Sequence, residues 1–226
     1  MSNNATIGML TLSNIESVVL DLHRLGCKQR KKSGGGRKRG VIRSRSMSLD
    51  DFVDVHGLDD LNLIKLFGAG TFGRVWIVTA KGGGKTPYAL KIQSKRQLLD
   101  KRQASSAKRE REVMAKLDHP FVCRLVGTFQ DAASIYMVMS LIQGGELLNL
   151  IQGGAACGGL PEIATKFYSA GILEGLTYMH RRHIVYRDLK PENVLLDSDG
   201  YPVIVDFGFC ECSPFCVGLL GGISSH

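Results

Sequence analysis

The chain has 226 residues, of which 44% are hydrophobic, and it carries a formal net charge of +8. This hydrophobic fraction is sufficient for a buried core, so the composition excludes a wholly disordered protein. No stretch approaches the roughly 18 consecutive apolar residues of a membrane-spanning helix. The N-terminus has neither the basic nor the apolar region of a secretory signal. These features predict a soluble protein of the cytoplasm or the nucleus, with its six cysteines reduced.

The positive charge is concentrated in the first 48 residues, which hold ten lysines and arginines against two acidic residues. Within this segment, residues 7–25 could form a short helix. Residues 28–40 combine like charges with a glycine triplet, which predicts a flexible linker; a nuclear-import signal and a contact with an acidic surface are the functional alternatives. Because no aromatic side chain lies between Lys28 and Arg45 to stack on bases, the sequence does not favour nucleic-acid binding.

From residue 58 onwards, short apolar runs alternate with turn residues, a pattern typical of strands. Strands are predicted, in chain order, at 61–67, 75–79, 88–92, 121–125, 135–139, 194–196 and 203–205. Residues 81–85 and 197–200 are expected to form turns between neighbouring strands. Two helices are predicted, a polar one at about 104–117 and an apolar-striped one over 161–181 that begins at Pro161. This order predicts an α+β fold in which a β-rich lobe with one helix precedes a helical lobe.

The first motif of chemical interest is Gly68-Ala-Gly-Thr-Phe-Gly73-Arg-Val75, which lies between two predicted strands. Glycines allow a backbone to approach phosphate groups closely and to direct its N–H groups at them. An ordinary glycine hairpin has a similar composition, and dinucleotide-binding folds use a similar string that opens a helix. Because the present string enters a strand, it favours a phosphate-binding hairpin over a dinucleotide fold.

The second candidate is Lys91, at the end of a predicted strand, where its ammonium could hold nucleotide phosphates. The following predicted helix offers two glutamates as partners. Glu110 shares a helix face with Met114 and Leu117 and is expected to point inward, whereas Glu112 lies among lysines in a solvent-facing pattern. We therefore expect Glu110 to be the partner, although a Lys–Glu pair taken alone is more often a surface contact.

The third and fourth motifs lie close together near the C-terminal end of the chain. The sequence Tyr186-Arg-Asp-Leu-Lys-Pro-Glu-Asn193 brings Asp188, Lys190 and Asn193 together just before a predicted strand. Phosphoryl transfer requires a carboxylate that receives a hydroxyl proton, a lysine near the transferred group and an amide that holds a metal ion. Asp206-Phe-Gly208 follows the next strand and offers a carboxylate for Mg²⁺. The four motifs in this order indicate phosphoryl transfer.

Together these motifs resemble the protein kinases, and the Lys190 motif resembles the serine/threonine kinases among them. Four segments are similar to the cAMP- and cGMP-dependent kinases of the AGC branch, with the cGMP-dependent members slightly favoured: Lys95-Arg-Gln-Leu-Leu-Asp-Lys-Arg-Gln103, Tyr136-Met-Val-Met, Gly144-Gly-Glu and Asp206-Phe-Gly-Phe209. The resemblance implies a bilobal kinase-like fold. Its expected parts are a basic segment at 1–48, a complete N-lobe at 49–143, a partial C-lobe at 144–209 and an unmatched tail at 210–226. Because the resemblance ends after Phe209, we expect a truncated second lobe, in a short isoform or an incomplete gene product.

The resemblance also implies roles for individual residues. Asp188 would orient the substrate hydroxyl, Lys190 would contact the γ-phosphate, and Asn193 and Asp206 would bind Mg²⁺. Lys91 would contact the α- and β-phosphates, with Glu110 fixing it. The implied contacts of the glycine loop with the nucleotide are Phe67, Gly68, Ala69, Gly70, Thr71, Phe72, Gly73, Arg74 and Val75. Those around the adenine are Ala89, the gatekeeper Met139, the hinge from Ser140 to Ile142, and Leu195. Met114, Leu125, Tyr186 and Phe207 would stack as a column that joins the two lobes.

The expected function is phosphoryl transfer from ATP, with Mg²⁺, to serine or threonine of proteins with nearby arginines. Glu146 and Glu192 would recognise those arginines through charge-assisted hydrogen bonds. Residues 43–48 contain serines three residues after an arginine and are expected to contact the peptide groove of the same chain. Two alternatives remain: a catalytically silent, nucleotide-binding regulatory fragment that acts through protein contacts, and a role of residues 28–45 in nuclear import or nucleic-acid contact.

Overall fold

The computed structural model describes residues 55–70, 73–81, 86–153 and 159–212. The predictions for residues 1–48, for most of the turn at 81–85, and for Thr71 and Phe72 therefore lie outside the described residues. Near the start of the described chain, a single 3-10 turn, Leu58–Asp60, leads into the first strand, and the Asp60 carboxylate accepts a hydrogen bond from Gly57 N at 3.0 Å. This bond fixes the direction in which the chain enters the sheet.

Five antiparallel strands form a sheet: β1 (Leu61–Gly70), β2 (Gly73–Ala80), β3 (Tyr88–Ser94), β4 (Leu125–Gln130) and β5 (Ser134–Ser140). They lie in the order β1-β2-β3-β5-β4. The strands predicted at 61–67, 75–79, 88–92 and 135–139 are confirmed, with β1 extending three residues further into the glycine-rich motif. The sheet is the β-rich lobe of the predicted α+β fold.

The strand predicted at 121–125 is wrong. In this segment Cys123 N donates to Ile204 O and Ile204 N donates to Phe121 O, each at 2.9 Å, so the backbone forms an isolated bridge to the second lobe instead of a ladder. β4 begins only at Leu125. Val122 and Cys123 are apolar because they are buried between the lobes, and a short apolar run cannot distinguish such burial from a strand.

Alternation along the strands gives the sheet an apolar face with a core of its own. Residues on this face are buried together: Leu61, Val78, Tyr88, Leu90, Tyr136 and Val138, with Trp76 and Ile92 packed against them. Because successive side chains of a strand point to opposite faces, the intervening positions of β2, β3 and β5 face the other way. That second face is available for a site.

Two helices follow β3, where the sequence analysis predicted one. The first, α1 (Lys95–Asp100), contains one buried residue, Leu98, which is too little for a periodic signal. The second, α2 (Ala104–Met114), ends at Met114 instead of 117, because Leu117 lies in the following turn with its N–H bonded to Met114 O at 3.1 Å. Its buried face includes Glu110 and Met114, so the Glu110 carboxylate points into the protein interior.

The described part of the second lobe contains two α-helices, α3 (Leu147–Gly153) and α4 (Glu162–His180). Its short strands are β6 (Ile184–Val185), β7 (Val194–Leu196), β8 (Pro202–Ile204) and β9 (Glu211–Cys212). β7 pairs with β8 and β6 pairs with β9. α4 lies close to β8 because Gly171 has no side chain; a Cβ there would be 2.6 Å from Pro202 Cγ. α3, β6 and β9 were not predicted. None of the described helices is both long and apolar enough to cross a membrane.

Candidate active site

Four of the predicted nucleotide contacts lie on the face of the sheet opposite to its apolar core. In the strand register, Val75 of β2 pairs with Lys91 of β3, and Ala89 of β3 pairs with Met139 of β5. Paired residues share a face of an antiparallel sheet, and so do residues two apart along a strand. Val75, Ala89, Lys91 and Met139 therefore point to the same side, where one ligand could contact all of them.

Glu110 of α2 fixes the ammonium of Lys91. Lys91 Nζ donates a hydrogen bond to Glu110 Oε1 at 2.6 Å, and the two side chains are 15% and 5% exposed. Burial raises the pKa of Glu110 above its ordinary value, while the adjacent positive charge of Lys91 opposes that rise. Glu112 instead lies toward solvent, with its carboxylate 3.9 Å from Lys108 Nζ. The choice of Glu110, made from helix periodicity, is confirmed.

Two glycines of the glycine-rich motif have different structural roles. Gly73 has a φ of +142°, and a Cβ there would lie 2.0 Å from Ile92 O of the neighbouring strand. The fold itself therefore requires glycine at this position. At Gly68, by contrast, a Cβ would meet no atom of the described residues within 4 Å. The space beside Gly68 is thus open to a ligand.

The remaining residues of the motif contribute less to the cluster around Lys91. Phe67 is half-exposed on β1, and the backbone of Ala69 and Gly70 completes that strand. Arg74 is exposed and lies next to Val75 in β2. Because adjacent side chains of a strand point to opposite faces, Arg74 lies on the face of the sheet opposite to Val75. The structure does not bring the Arg74 side chain together with Lys91.

Hydrogen bonds join the three predicted residues of the loop between β6 and β7. Lys190 Nζ donates to Asp188 Oδ2 at 2.9 Å, and Asn193 Nδ2 donates to the same oxygen at 2.7 Å. The bond to Asp188 raises the pKa of Lys190. The backbone carbonyl of the buried Asn193 accepts a bond from Val205 N at 3.0 Å. The bonds from Lys190 and Asn193 hold the Asp188 carboxylate in one orientation. Val205, which is bonded to this loop, directly precedes Asp206.

Asp206 adopts a left-handed backbone conformation, with a φ of +58°, which is uncommon outside glycine and concentrates at functional sites. Its Oδ1 accepts a hydrogen bond from Gly208 N at 3.3 Å, and the intervening Phe207 is fully buried. Both bonds from Asn193 to Asp188 use the amide nitrogen, so neither uses the side-chain oxygen of Asn193. Carboxylate and amide oxygens are ligands that Mg²⁺ prefers, so Asp206 and Asn193 fit this ion.

A column of apolar side chains joins the sheet lobe to the loop that carries Asp188. Met114, Tyr186 and Phe207 belong to one buried cluster, and Leu125 packs against it. The rings of Tyr186 and Phe207 pack in a T-shaped, edge-to-face arrangement with their centroids 5.9 Å apart. Burial raises the pKa of the Tyr186 hydroxyl. The rings of Tyr186 and Phe207 are in contact, and Met114 and Leu125 belong to or pack against the same cluster, in agreement with the predicted column.

The predicted hinge begins at Ser140, the last residue of β5. Ser140 N donates to Arg124 O at 3.0 Å, so this N–H is already used within the protein. The Ser140 carbonyl has a weak contact with the Cys123 thiol at 3.8 Å. Ile142 packs, like Met139, against the cluster that contains the column. The predicted pairing with adenine would therefore use hinge groups other than the Ser140 N–H.

Two exposed carboxylates lie beside β7. Glu146 forms an isolated bridge with Leu195, and Glu192 lies in the 3-10 turn Pro191–Asn193 that leads into β7. α3 begins directly after Glu146 and packs against this turn and against β7. Leu195 is half-buried between Val194 and Leu196, which are buried on the other side of the strand. Both glutamates are thus close to the loop that carries Asp188.

Two further contacts of the site were missed by the sequence analysis. The Ser106 hydroxyl of α2 donates to Gly208 O at 2.8 Å, across 102 residues of chain. Arg187 has a left-handed φ of +67°, and its guanidinium contacts the Phe209 carbonyl and the Glu211 carboxylate. No motif distinguishes a single serine on a helix, and Glu211 lies beyond the last residue of the resemblance. These contacts are recognisable only in three dimensions.

Comparison with known proteins agrees with this geometry. The family model described as protein kinase domain matches residues 61–214. The chain is 42% identical over 158 residues to the cAMP-dependent protein kinase catalytic subunit of Schizosaccharomyces pombe, covering 70% of this chain and 30% of that protein. It is 36% identical over 174 residues to cAMP-dependent protein kinase type 3 of Saccharomyces cerevisiae, covering 77% and 43%. It is 38% identical over 172 residues to the Drosophila melanogaster cGMP-dependent protein kinase, isozyme 2 forms cD5/T2, covering 76% and 18%.

The family match extends from the start of β1 to just beyond β9, so it includes all the described strands and α-helices of both lobes and runs past Phe209. The chain spans less than half the length of each of these relatives. Both groups of kinases named from the motifs are found among them, which confirms the resemblance. With the Lys91–Glu110 pair, the Asp188 loop and Asp206 inside the matched region, the chain belongs to the protein kinase family.

Proposed function

We propose that the protein transfers the γ-phosphoryl group of ATP to serine or threonine hydroxyls of other proteins, with Mg²⁺ held by Asn193 and Asp206. The observation that carries this proposal is the hydrogen-bonded set of Asp188, Lys190 and Asn193, tied to the segment of Asp206 by the Val205–Asn193 backbone bond. Catalysis of phosphoryl transfer consists largely of positioning and of electrostatic stabilisation. A set of charged and polar groups already fixed by mutual hydrogen bonds is suited to that task.

Each side chain of the set has a separate task in this mechanism. ATP with Mg²⁺, when bound, supplies the transferable phosphoryl group. Asp188 Oδ2 accepts the bonds from Lys190 and Asn193, which leaves Oδ1 to accept the proton of the substrate hydroxyl. The ammonium of Lys190 lies beside that carboxylate and offsets negative charge on the transferred group. Lys91, held by Glu110, orients the phosphates from the side of the sheet.

We also infer a preference for substrates with arginine near the phosphorylated residue. Glu146 and Glu192 are exposed, and both lie beside β7 near the loop that carries Asp188. A guanidinium forms its strongest hydrogen bonds with carboxylates, often two at a time. A peptide whose hydroxyl reaches Asp188 would therefore find acidic partners for neighbouring arginines.

We expect Mg·ATP to raise the melting temperature of the wild-type protein, and Lys91→Ala and Asp206→Ala to weaken that effect. A ligand that binds only the folded state adds about 2.7 kcal/mol to the free energy of unfolding at a hundredfold excess over Kd. Each substitution removes one charged contact with the phosphates or the metal, which should reduce the affinity by about tenfold or more. Thermal unfolding at a series of Mg·ATP concentrations measures the effect.

Matched controls are available in exposed ion pairs away from the site. Lys108 lies 3.9 Å from Glu112, and Asp100 lies 4.0 Å from Arg96. Lys108→Ala and Asp100→Ala should therefore retain the full shift. An unshifted wild-type melting curve in millimolar Mg·ATP would contradict the proposal. A normal shift without phosphorylation of an arginine-containing peptide would instead favour the catalytically silent regulatory fragment.

We further propose that residues 43–48, Arg-Ser-Arg-Ser-Met-Ser, enter the peptide groove of their own domain. Ser46 follows Arg43 by three residues, and Ser48 follows Arg45 at the same distance. Because the segment precedes the domain by about ten residues, its effective concentration at the site can reach the millimolar range. We expect phosphate at Ser46 or Ser48 after incubation with Mg·ATP, detected by mass spectrometry.

The double variant Arg43→Ala/Arg45→Ala tests whether the arginines direct this contact. We expect it to lose the phosphorylation or, where the segment occupies the groove as an inhibitor, to phosphorylate an added arginine-containing peptide faster than the wild type. Phosphate would add a charge of about −1.5 to −2 to the basic segment and weaken its attraction to Glu146 and Glu192. Absence of phosphate on both serines, together with an unchanged rate in the double variant, would contradict the proposal.

A further inference from the structure

The loop that carries Asp188 is attached at its start to the segment that follows Phe209. β6 pairs with β9 through Ile184 opposite Cys212 and Val185 opposite Glu211. Cys210, directly before β9, is fully buried in the core that contains Tyr186 and Phe207, and its N–H bonds to Phe207 O at 3.1 Å. Glu211 is thus presented from a fixed backbone position toward the loop.

Arg187 lies in sequence between Tyr186, which is buried, and Asp188, and the backbone of Arg187 is strained. Its φ of +67° is unfavourable for a side chain with a Cβ and persists only where surrounding contacts hold it. Two contacts do so: Arg187 Nε donates to Phe209 O at 2.7 Å, and Nη1 donates to the Glu211 carboxylate. The planar guanidinium therefore binds two acceptors on the same neighbouring segment.

We propose that Glu211 is a positioning residue for phosphoryl transfer, which rests on the function proposed above. Its carboxylate holds the Arg187 guanidinium, the guanidinium holds the left-handed backbone at 187, and that backbone determines where the Asp188 carboxylate points. A guanidinium of this fork geometry takes a carboxylate or a phosphate as its partner. Here the chain supplies the anion itself, so the orientation of Asp188 does not depend on an added charged group.

This contact differs from an ordinary surface ion pair of the same molecule. Glu162 and Lys166, one turn apart on α4, are 82% and 51% exposed, and such isolated exposed pairs contribute little to stability. Arg187 and Glu211 are 43% and 54% exposed, lie on separate segments and share the additional bond to Phe209 O. Loss of the Glu211 charge would release a strained backbone, whereas loss of the Glu162 charge would release none.

Amide hydrogen exchange of the full chain tests the proposal without requiring catalysis. We expect Glu211→Gln to increase exchange across residues 184–193 by about threefold to tenfold, because a charge-assisted hydrogen bond that opposes local opening is lost. Arg187→Lys should act in the same direction, since a single ammonium cannot span both acceptors. β3, which lies in the other lobe, should be unaffected. Glu162→Gln is the matched control and should leave residues 184–193 unchanged.

Kinetics provide a readout that a purely structural contact would not change. Glu211→Gln should lower kcat for peptide phosphorylation while the Kd for Mg·ATP stays the same, because Lys91 and Asp206 do not touch the pair. A change in exchange below about twofold, an equal change in Glu162→Gln, or a parallel loss of Mg·ATP affinity would overturn the proposal. If the wild type transfers no phosphate, the proposed function fails, and the exchange measurements still decide whether Glu211 holds the loop at residues 184–193.

Discussion

Replacement of Gly73 by alanine is expected to lower the free energy of unfolding by about 3–5 kcal/mol, because backbone strain and a steric clash act together. The φ of +142° is disfavoured for any residue with a side chain, and the added Cβ would lie 2.0 Å from Ile92 O. That oxygen belongs to the backbone of β3, so no side-chain rotation can relieve the contact. β2 and β3 would have to separate where Val75 pairs with Lys91.

Gly68→Ala is the matched control for this experiment. Among the residues that the structure describes, none has an atom within 4 Å of a Cβ at Gly68, so the free energy of unfolding should change by less than about 0.5 kcal/mol. Its effect should appear in ligand binding, since the methyl group would occupy the space in which the nucleotide phosphates are proposed to bind. Urea unfolding measures the first difference and Mg·ATP titration the second. Equal unfolding midpoints for Gly73→Ala and the wild type would contradict the assigned role of Gly73.

Sequence patterns predict the strands of this fold well where alternation is maintained. In β3 and β5 every second residue enters the apolar core of the sheet, so Leu90 and Val138 mark one face and leave Lys91 on the other. The pattern fails where burial has another cause. Phe121 to Cys123 are apolar because they lie against β8 of the second lobe, and six-residue α1 buries too few side chains to show a period.

The candidate site likewise contains features that sequence patterns predict and contacts that they do not. Glu110 could be selected over Glu112 because both lie on one helix, and a period of 3.6 residues determines which of them faces inward. Asp188, Lys190 and Asn193 are close in sequence, so their spacing already limits their geometry. The contacts of Ser106 with Gly208 and of Arg187 with Glu211 depend instead on how distant segments pack. The left-handed conformations at 187 and 206 also leave no local trace, because neither residue is glycine.

Asp188→Asn is expected to reduce kcat for phosphorylation of an arginine-containing peptide by about 10²–10⁴-fold, the range typical for loss of a general base. The variant should remain folded, because the amide oxygen of asparagine can still accept the bonds that Lys190 and Asn193 direct to Asp188 Oδ2. What it loses is the second carboxylate oxygen, to which the proposed mechanism assigns the substrate proton. Affinity for Mg·ATP should be nearly unchanged, since the proposed metal ligands are Asn193 and Asp206.

Initial-rate kinetics together with Mg·ATP titration separate this effect from unfolding. Asp100→Asn, an exposed carboxylate on α1, should leave both quantities unchanged. An Asp188→Asn variant with near wild-type turnover would show that another group accepts the proton, and one that also loses Mg·ATP binding would place Asp188 among the metal ligands. Asp188 Oδ2 is held by two donors of its own loop, so in the proposed mechanism the substrate hydroxyl would approach from the side of Oδ1. Lys190 and Asn193 would then determine the direction of proton transfer before any substrate binds.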